Sequence, residues 1–342
     1  GDNIIGAVNL NTTGARAVGA HNWVAGDNAP AMGSGNTVGT WTPGTDGVSA
    51  TIVASASHST AVGDSNATQS GYASVFGYAN SVNAGSRYST TIGAQNALSS
   101  GSTNATAIGS NNAISAAQTV AIGYQNTASA QDAFAAGSGN VASGAGSIAF
   151  GVGNTVSGDN SGAFGDPSTV TGTGSYSFGN NNSIASDNAF VMGSGVTIAA
   201  GLNGAVALGN GTVVAASNPA ASTTINGNTY NFAGAGPAVG GVVSVGAAGL
   251  ERQITNVAAG RIDGSSTDAI NGSQLFATNA AIEDLATAVD AGATHYYSVN
   301  DGGTTGGNYA NDGASGLNAL AAGVGASATA DSGTALGQNT GV

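Results

Sequence analysis

One short pattern recurs along most of this 342-residue chain. It reads small residue, apolar residue, Gly, two variable residues, Asn, any residue and apolar residue, and the segment QTVAIGYQNTA (118–128) is a clear copy. Thirteen copies are separated by twelve glycine-to-glycine intervals, of which eight are 14 residues, three are 16 and one is 30. A fixed period with turn residues at a fixed phase is typical of a solenoid, in which every repeat forms one turn.

The repeat predicts a mostly β fold in which each turn holds two strands and two corners. Fourteen residues suit two strands of about five residues each, with side chains that alternate between two faces. Asn stands three residues after ten of the thirteen glycines, and the exceptions are Ser168, Val196 and Thr212. Gly and Asn tolerate the positive φ of tight corners, and Asn stacked at one phase predicts hydrogen-bond ladders along the axis.

The unequal intervals predict where the turns are interrupted. We interpret the 16-residue intervals as turns with two extra residues at a corner. The 30-residue interval from Gly33 to Gly63 carries Trp41-Thr42-Pro43-Gly44, and we interpret it as one degenerate turn plus a surface loop. A hexapeptide β-helix and a calcium-binding β-roll with a nine-residue repeat fit less well, because neither period is observed.

Composition excludes several functions. The chain has 17 acidic residues, 4 arginines and no lysine, so its net charge is −13 and it lacks the clustered basic residues that nucleic acid needs. It has no cysteine, which excludes disulfides, thiolate nucleophiles and cysteine-ligated zinc. No run of about 18 apolar residues predicts a membrane span. We therefore expect no nucleic-acid partner and no membrane contact.

The small side chains limit what one chain can stabilise alone. Each turn contributes one or two medium aliphatic residues and several alanines. Buried apolar surface contributes about 25 cal/mol per Å², whereas ordering each residue costs about 1.5 kcal/mol. We therefore expect an obligate oligomer, in which association along the whole length buries a second face.

The pattern changes after about residue 215. Thr223–Phe232 alternates around Asn226-Gly227, which predicts a β-hairpin. From Thr267 the chain becomes helical in character, with Ser266 or Thr267 as the expected cap. The apolar residues that follow predict a coiled coil of barely two heptads, with a single amphipathic helix on a globular core as the alternative. They are Leu275, Ile282, Leu285 and Val289, with Thr278 in an earlier slot.

No residue is assigned to catalysis, to a cofactor or to a metal. His21, His58 and His295 are far apart in sequence, and His58 and Ser59 would point to opposite faces of a strand. We expect His295 to pack within a connector. The glycines form no phosphate-binding loop, because the motif G-x-x-x-x-G-K-[ST] is absent.

Four further residues have two interpretations each. Trp23 and Trp41 are either exposed binding aromatics or residues packed at a subunit seam. Arg252 and Arg261, with acidic residues nearby, either form ion pairs between subunits or are exposed to solvent.

Three features taken in order resemble one protein family. The 14-residue repeats, the run RQITNVAAG (252–260) and the run TDAINGSQL (267–275), followed by a coiled coil, resemble the YadA-like trimeric autotransporter adhesins. The repeats resemble the head of that family, which is a left-handed parallel β-roll assembled as a homotrimer. The neck motif of the family is matched by Asp268, Ala269, Ile270, Asn271, Gln274 and Leu275.

The resemblance implies an order of domains. It assigns 1–215 to a β-roll head, 216–250 to a β segment similar to a head insert, and 251–274 to a neck. A short trimeric coiled coil would follow at 275–291, then a connector at 292–316 and the start of a second head repeat region at 317–342.

The resemblance also implies a function. It implies a non-enzymatic adhesin on a Gram-negative cell surface, held in the outer membrane by a C-terminal barrel outside this chain. Such heads attach to host extracellular matrix or cells and mediate autoagglutination, and the alternative is a structural spacer in a longer fibre. Collagen-binding heads carry Asn-Ser-Val-Ala-Ile-Gly-x-x-Ser, and Asn126 and Asn154 replace the final Ser here, which argues against collagen. No cofactor is implied.

Overall fold

Each repeat folds as one turn of a parallel β-solenoid. The computed structural model describes residues 4–5, 13–43, 50–54, 56–236, 241–292 and 298–342. Contacts within the chain divide it into two compact units, residues 1–256 with 262–267 and residues 257–261 with 268–342. The first unit holds the solenoid, and the second holds a helix and a short return of the repeat. The predicted mostly β architecture is confirmed.

Successive turns place a longer and a shorter strand in two parallel sheets. Among the described residues, the long-strand sheet has 14 strands and the short-strand sheet has 13. The long-strand sheet consists of Arg16–Ala20, Pro30–Ser34, Thr60–Asp64, Ser74–Tyr78, Thr90–Ala94, Thr106–Ser110, Val120–Tyr124, Phe134–Ser138, Ile148–Val152, Gly162–Gly165, Tyr176–Phe178, Phe190–Met192, Val206–Leu208 and Val243–Ser244. The short-strand sheet consists of Ile4–Ile5, Trp23–Val24, Thr37–Val38, Ala67–Thr68, Ser81–Val82, Ala97–Leu98, Ala113–Ile114, Thr127–Ala128, Val141–Ala142, Thr155–Val156, Ser168–Val170, Asn182–Ile184 and Thr197–Ile198.

The repeat glycines stay in register from turn to turn. Gly77 lies opposite Gly63 on one side and Gly93 on the other. Gly93 lies opposite Gly109 although this interval has 16 residues, and the strands on both sides pair without a shift. The two extra residues therefore lie in a corner, which confirms the interpretation of the longer intervals.

The 30-residue interval is also a single turn, because Pro30–Ser34 pairs directly with Thr60–Asp64. The residues between them include two antiparallel strands, Thr40–Pro43 and Ala50–Ala54. The described part of this insertion is thus a hairpin, where the sequence predicted a surface loop. Trp41 lies in its first strand.

Small side chains line the interior of the roll. The residue two places before the repeat glycine points inward and is usually alanine, as Ala107 and Ala121 show with no solvent exposure. The second residue of each short strand faces it, as Leu98 and Ile114 do. The apolar residue directly before the glycine lies on the other face of the long strand, outside this core. Alternation predicted that these residues share a face, but it did not say which face is inside.

The predicted asparagine ladder runs through the buried corners. The Oδ1 atom of Asn112 accepts from the backbone N–H and the Nδ2 of Asn126, both at 3.1 Å. The same Nδ2 donates to the carbonyl oxygens of Ile122 at 2.9 Å and Gly137 at 3.0 Å. The contact repeats between the successive residues Asn22, Asn36, Asn66, Asn80, Asn96, Asn112, Asn126, Asn140 and Asn154. Each ladder residue therefore satisfies polar groups of two adjacent turns.

The ladder is interrupted where the sequence departs from Asn. Ser168 is too short to reach back, so the buried Oδ1 of Asn154 has no hydrogen-bond partner among the described residues. Ser168 Oγ still donates to the carbonyl of Gly179 at 3.3 Å. Thr212 keeps part of the contact by donating to the carbonyl of Leu208 at 3.0 Å.

Asn126→Ala is expected to lower stability by about 3 kcal/mol, because each buried polar group left without a partner costs about 1–3 kcal/mol. The carbonyls of Ile122 and Gly137 lose their donor, and Asn140 loses its acceptor. Asn126→Ser should be milder, since the chain itself uses Ser168 in this slot. Thermal unfolding of both variants measures the difference. An equal melting temperature for wild type and Asn126→Ala would contradict the role of the ladder.

The segment after the solenoid contains a separate hairpin. Ser222–Ile225 pairs antiparallel with Asn228–Asn231, on either side of Asn226-Gly227 as the sequence predicted. In the second unit, Leu320–Ala322 and Thr334–Leu336 form a parallel pair with the spacing of the repeat.

The helix of the second unit is Gly272–Ala291, and its start differs from the prediction. Its N-cap is Asn271, in a capping box with Gln274, so the expected caps Ser266 and Thr267 were wrong. Within the described residues, no helix has the length and apolar character needed to cross a membrane.

Candidate functional surfaces

An apolar ridge runs along the outer face of the long-strand sheet. It is formed by the residue directly before each repeat glycine, and the parallel register stacks these residues in one line. Met32, Phe150 and Met192 are about half exposed, at 47%, 53% and 54%. The full ridge is Val18, Met32, Val62, Phe76, Ile92, Ile108, Ile122, Ala136, Phe150, Phe164, Phe178, Met192 and Leu208. A continuous exposed apolar surface of this kind marks an interaction site.

Aromatic stacking continues along part of the ridge. The rings of Phe164 and Phe178 are parallel, with centroids 4.7 Å apart, and Phe150 packs against Phe164 at 6.4 Å. The helix shows the same property on a smaller scale, because none of its residues is buried. Its exposed apolar residues include Leu275, Ile282, Leu285 and Val289.

A second surface, which we name the aromatic corner, lies on three consecutive turns. His58, Tyr72 and Tyr88 occupy the same corner position and have φ of +61°, +61° and +58°. His58 stacks on Tyr72 at 4.8 Å between ring centroids, and Tyr72 stacks on Tyr88 at 5.0 Å. The guanidinium carbon of Arg87 lies 5.2 Å from the Tyr72 centroid and 5.5 Å from that of Tyr88. All four side chains are exposed.

The sequence analysis did not identify the aromatic corner. The other corners of the roll carry Asn, Gln, Asp or Gly at this position, as at Asn28, Asn104 and Gln118. Those residue types suit the left-handed conformation, whereas a bulky residue there is an outlier. Alignment of the turns by phase would have shown the three rings, because only the 16-residue turn offsets them.

Three polar residues of the run TDAINGSQL hold the segment before the helix. Gln274 accepts from the backbone N–H of Gly260 at 3.0 Å and donates to its carbonyl at 2.7 Å. Asn271 donates to the carbonyl of Val257 at 3.0 Å. Asp268 accepts from Arg261, with Nε at 2.9 Å from Oδ2. The spacing of these residues therefore places each one opposite a backbone or side-chain partner within the second unit.

The two arginines have partners within the chain. Arg261 pairs with Asp268, where the sequence analysis considered partners between subunits or solvent exposure. Arg252 donates to the carbonyls of Val245 at 2.6 Å and Asn210 at 2.7 Å. Its guanidinium covers Gly209, at the place where the glycine carbonyl of a further turn lies elsewhere in the roll. Arg252 thus satisfies backbone groups that the last turn leaves open.

Arg261→Ala is expected to raise the pKa of Asp268. The pKa of this carboxyl lies below its ordinary value, chiefly because the Arg261 side chain donates to it and next because the Arg261 backbone N–H does. A lowered folded-state pKa stabilises the protein above the unfolded pKa, and this contribution is lost as pH falls through the folded pKa. The difference in melting temperature between wild type and variant should thus be small at neutral pH, because both groups are exposed, and vanish in acid. A difference that grows with acidity would contradict the pairing.

The remaining predicted residues lie at separate places. His21 is exposed, and His58 belongs to the aromatic corner, whereas Ser59 is buried and donates to the carbonyl of Ser70 at 2.6 Å. Trp23 is half-buried in the short-strand sheet, and His295 lies outside the described residues. In the part of the chain that the structure describes, no three His, Cys, Asp or Glu residues are grouped as metal ligands would be.

Family comparisons match both units. A model described as the YadA head domain repeat (2 copies) matches residues 115–140, 142–166 and 314–340. A model described as the coiled stalk of trimeric autotransporter adhesin matches residues 253–296. The chain belongs to the YadA-like trimeric autotransporter adhesins. In the terms of this family, the solenoid is the head, and Gly272–Ala291 lies in the coiled stalk.

Individual relatives carry the same family name. The chain is 66% identical over 67 residues to the autotransporter adhesin BtaE of Brucella suis biovar 1, a match that covers 20% of this chain and 9% of that adhesin. A solved structure, the C-terminal YadA-like domain of a Burkholderia pseudomallei protein, is 39% identical, with a TM-score of 0.26. That match covers 44% of this chain and 53% of the other.

Proposed function

We propose that three copies of this chain associate through the apolar ridge and the apolar residues of the helix. The supporting observation is the ridge itself, which one chain leaves exposed along the whole roll. A core of alanines gives each turn little apolar burial of its own, so a second buried face would supply what the interior lacks. The family is trimeric by name, which supports three as the number. The left-handed sense of the roll stays a prediction.

The trimer is proposed to be a non-enzymatic adhesin of the bacterial surface. Membership of an adhesin family supports attachment as the general role, and the matched relative is named an autotransporter adhesin. We propose host extracellular matrix or host cells as the target and self-association between bacteria as a further activity. The outer-membrane location of such adhesins is proposed for the protein that contains this chain.

The proposed domain order follows the sequence. The head would occupy 1–215, a head insert 216–250, the neck 251–274 and the coiled coil 275–291. A connector at 292–316 would lead to a second head region at 317–342.

A spacer without its own ligand is the second candidate. The observation that favours it is the return of head repeats at 314–340, since heads in series allow one to hold another further from the cell. Binding distinguishes the two functions. The purified trimer, immobilised and washed, should retain host cells or matrix proteins if it is an adhesive head. A correctly assembled trimer that retains none of them would favour the spacer.

Sedimentation equilibrium tests the assembly. A mass near three times 32.2 kDa is expected. A folded monomer would contradict the proposed trimer, because the exposed ridge would then be stable in water without a partner.

A further inference from the structure

We propose that the aromatic corner binds an oligosaccharide that carries an anionic group. The inference deepens the proposed adhesive function, on which its biological role rests, by naming a ligand class and a site. The residues that carry it are His58, Tyr72, Arg87 and Tyr88.

The aromatic corner is a place where the repeat departs from its own rule. Three consecutive corners hold rings in a backbone conformation that the other turns give to Asn, Gln, Asp or Gly. Residues kept in such conformations cluster at functional sites. The rings do not fill the core, since Tyr72 is 41% and Tyr88 is 55% exposed. Their placement therefore serves the surface.

The site has a concave part with unused polar capacity. A shallow depression of about 420 Å³ is lined by His58, Tyr72 and Arg87 together with Gln69 and Ser70. The hydroxyl of Ser70 is buried and has no hydrogen-bond partner among the described residues. A buried hydroxyl in this state is stabilised when a ligand supplies a donor or acceptor.

Charge and shape select the ligand class. Among the described residues, the only ion pair is that of Arg261 with Asp268, so the planar fork of Arg87 has no carboxylate partner there. Such a fork binds carboxylates and similar anions with two hydrogen bonds. The lining is aromatic and hydroxylic rather than aliphatic, which suits the alternating C–H faces and hydroxyls of a sugar. The other anionic occupant of similar chemistry is an acidic peptide, which the test separates.

The periodicity of the site favours an extended chain over a single sugar. The rings follow one another at 4.8 and 5.0 Å along the roll, so a ligand lying parallel to the axis meets them in succession. The chain as a whole is anionic, at −13, but charges beyond about 8 Å are screened at physiological salt. Arg87 therefore acts as the local attraction, and binding should weaken as salt is raised.

Isothermal titration calorimetry on the purified full chain tests the proposal. The probes are a cello-oligosaccharide, the same oligomer carboxylated at C6, a sulfated counterpart and a glutamate peptide of equal charge. We expect the carboxylated or sulfated oligomer to bind about tenfold or more tightly than the neutral one, since a charged bidentate contact contributes at least that factor. Carboxylated against sulfated oligomer identifies the anion. A glutamate peptide that binds as tightly as the best oligomer overturns the saccharide class.

Variants locate the binding without unfolding the protein. Tyr72→Asn combined with Tyr88→Asn introduces the residue type that other corners use, so the fold should keep its melting temperature while binding is lost. Arg87→Gln should reduce anionic binding about tenfold and leave neutral binding unchanged. Tyr124→Ser is the control, because Tyr124 is an exposed tyrosine outside the site whose neighbours in register are Ser110 and Ser138.

The outcomes separate this inference from the adhesive function. Absence of binding by the wild type, or equal binding by wild type and the site variants, overturns the saccharide site. Retention of host cells by a trimer that binds no probe would overturn the site and leave adhesion intact. Saccharide binding by a trimer that retains no cells would support the site and contradict the adhesive role.

Discussion

Gly93→Ala is expected to cost about 5 kcal/mol or more, at the upper end of single substitutions. Gly93 has φ of +121°, a conformation that residues with a Cβ rarely adopt. An added Cβ would overlap the carbonyl oxygen of Gly109 in the next turn and lie 2.8 Å from its carbonyl carbon. The obstructing atoms are backbone atoms of a paired strand, so they cannot move aside. Thermal unfolding followed by circular dichroism measures the loss.

A second glycine separates crowding from backbone conformation. Gly139 also has positive φ, at +66°, but an added Cβ there would meet nothing within 4 Å. Gly139→Ala should therefore cost only about 1–2 kcal/mol, the penalty of the left-handed conformation. Equal losses for the two variants would show that the close approach of the glycine strands is not what requires glycine at position 93.

Ile108→Asp is expected to prevent assembly. Ile108 lies in the apolar ridge between Ile92 and Ile122, and the proposed trimer would bury it against two other copies. An unpaired charge buried in this way costs several kcal/mol, and three like charges would meet. The mass by sedimentation equilibrium should fall from three times 32.2 kDa to that of one chain, or the protein should lose its folded β signal.

Ala113→Asp is the matched control for the ridge. Ala113 is exposed on the outer face of the short-strand sheet, so the same charge is introduced on a neighbouring turn of the other face. Its assembly should remain that of the wild type. Dissociation by Ala113→Asp with no effect of Ile108→Asp would place the interface on the short-strand sheet instead of the ridge.

The sequence predicted the turns well because their determinants are local and periodic. The positions of the repeat glycines and of residues such as Asn126 require only one turn and its neighbour, and the ladder follows from stacking. The inside of the roll was harder to predict. In the strand Val120–Tyr124, alternation separates Ala121 from Ile122, yet the larger residue lies outside. A rule that buries the larger apolar residue fails where the outer face is itself proposed to be buried by other copies.

Contacts distant in sequence explain the remaining differences. The helix begins at Asn271 because Val257 and Gly260 bind the capping residues, and a search for caps among Ser266 and Thr267 could not include that strand. The partner of Arg261 is Asp268, seven residues away, because the chain reverses between them. The comparisons confirm the family, whereas the sites on the roll require the structure, since turns must be stacked before Tyr72 and Tyr88 meet.

The uniform register of the glycines makes the roll modular in length. Every turn presents the same pair of strand edges to the next, so duplication or deletion of one repeat leaves all other contacts unchanged. Each added turn extends the roll by one strand spacing, about 4.8 Å. The corners meanwhile accept two extra residues, or a whole hairpin, without a shift of the strands. Recombination between near-identical repeats can therefore change the reach of this surface in small equal steps, while variation of the corners changes what the surface displays.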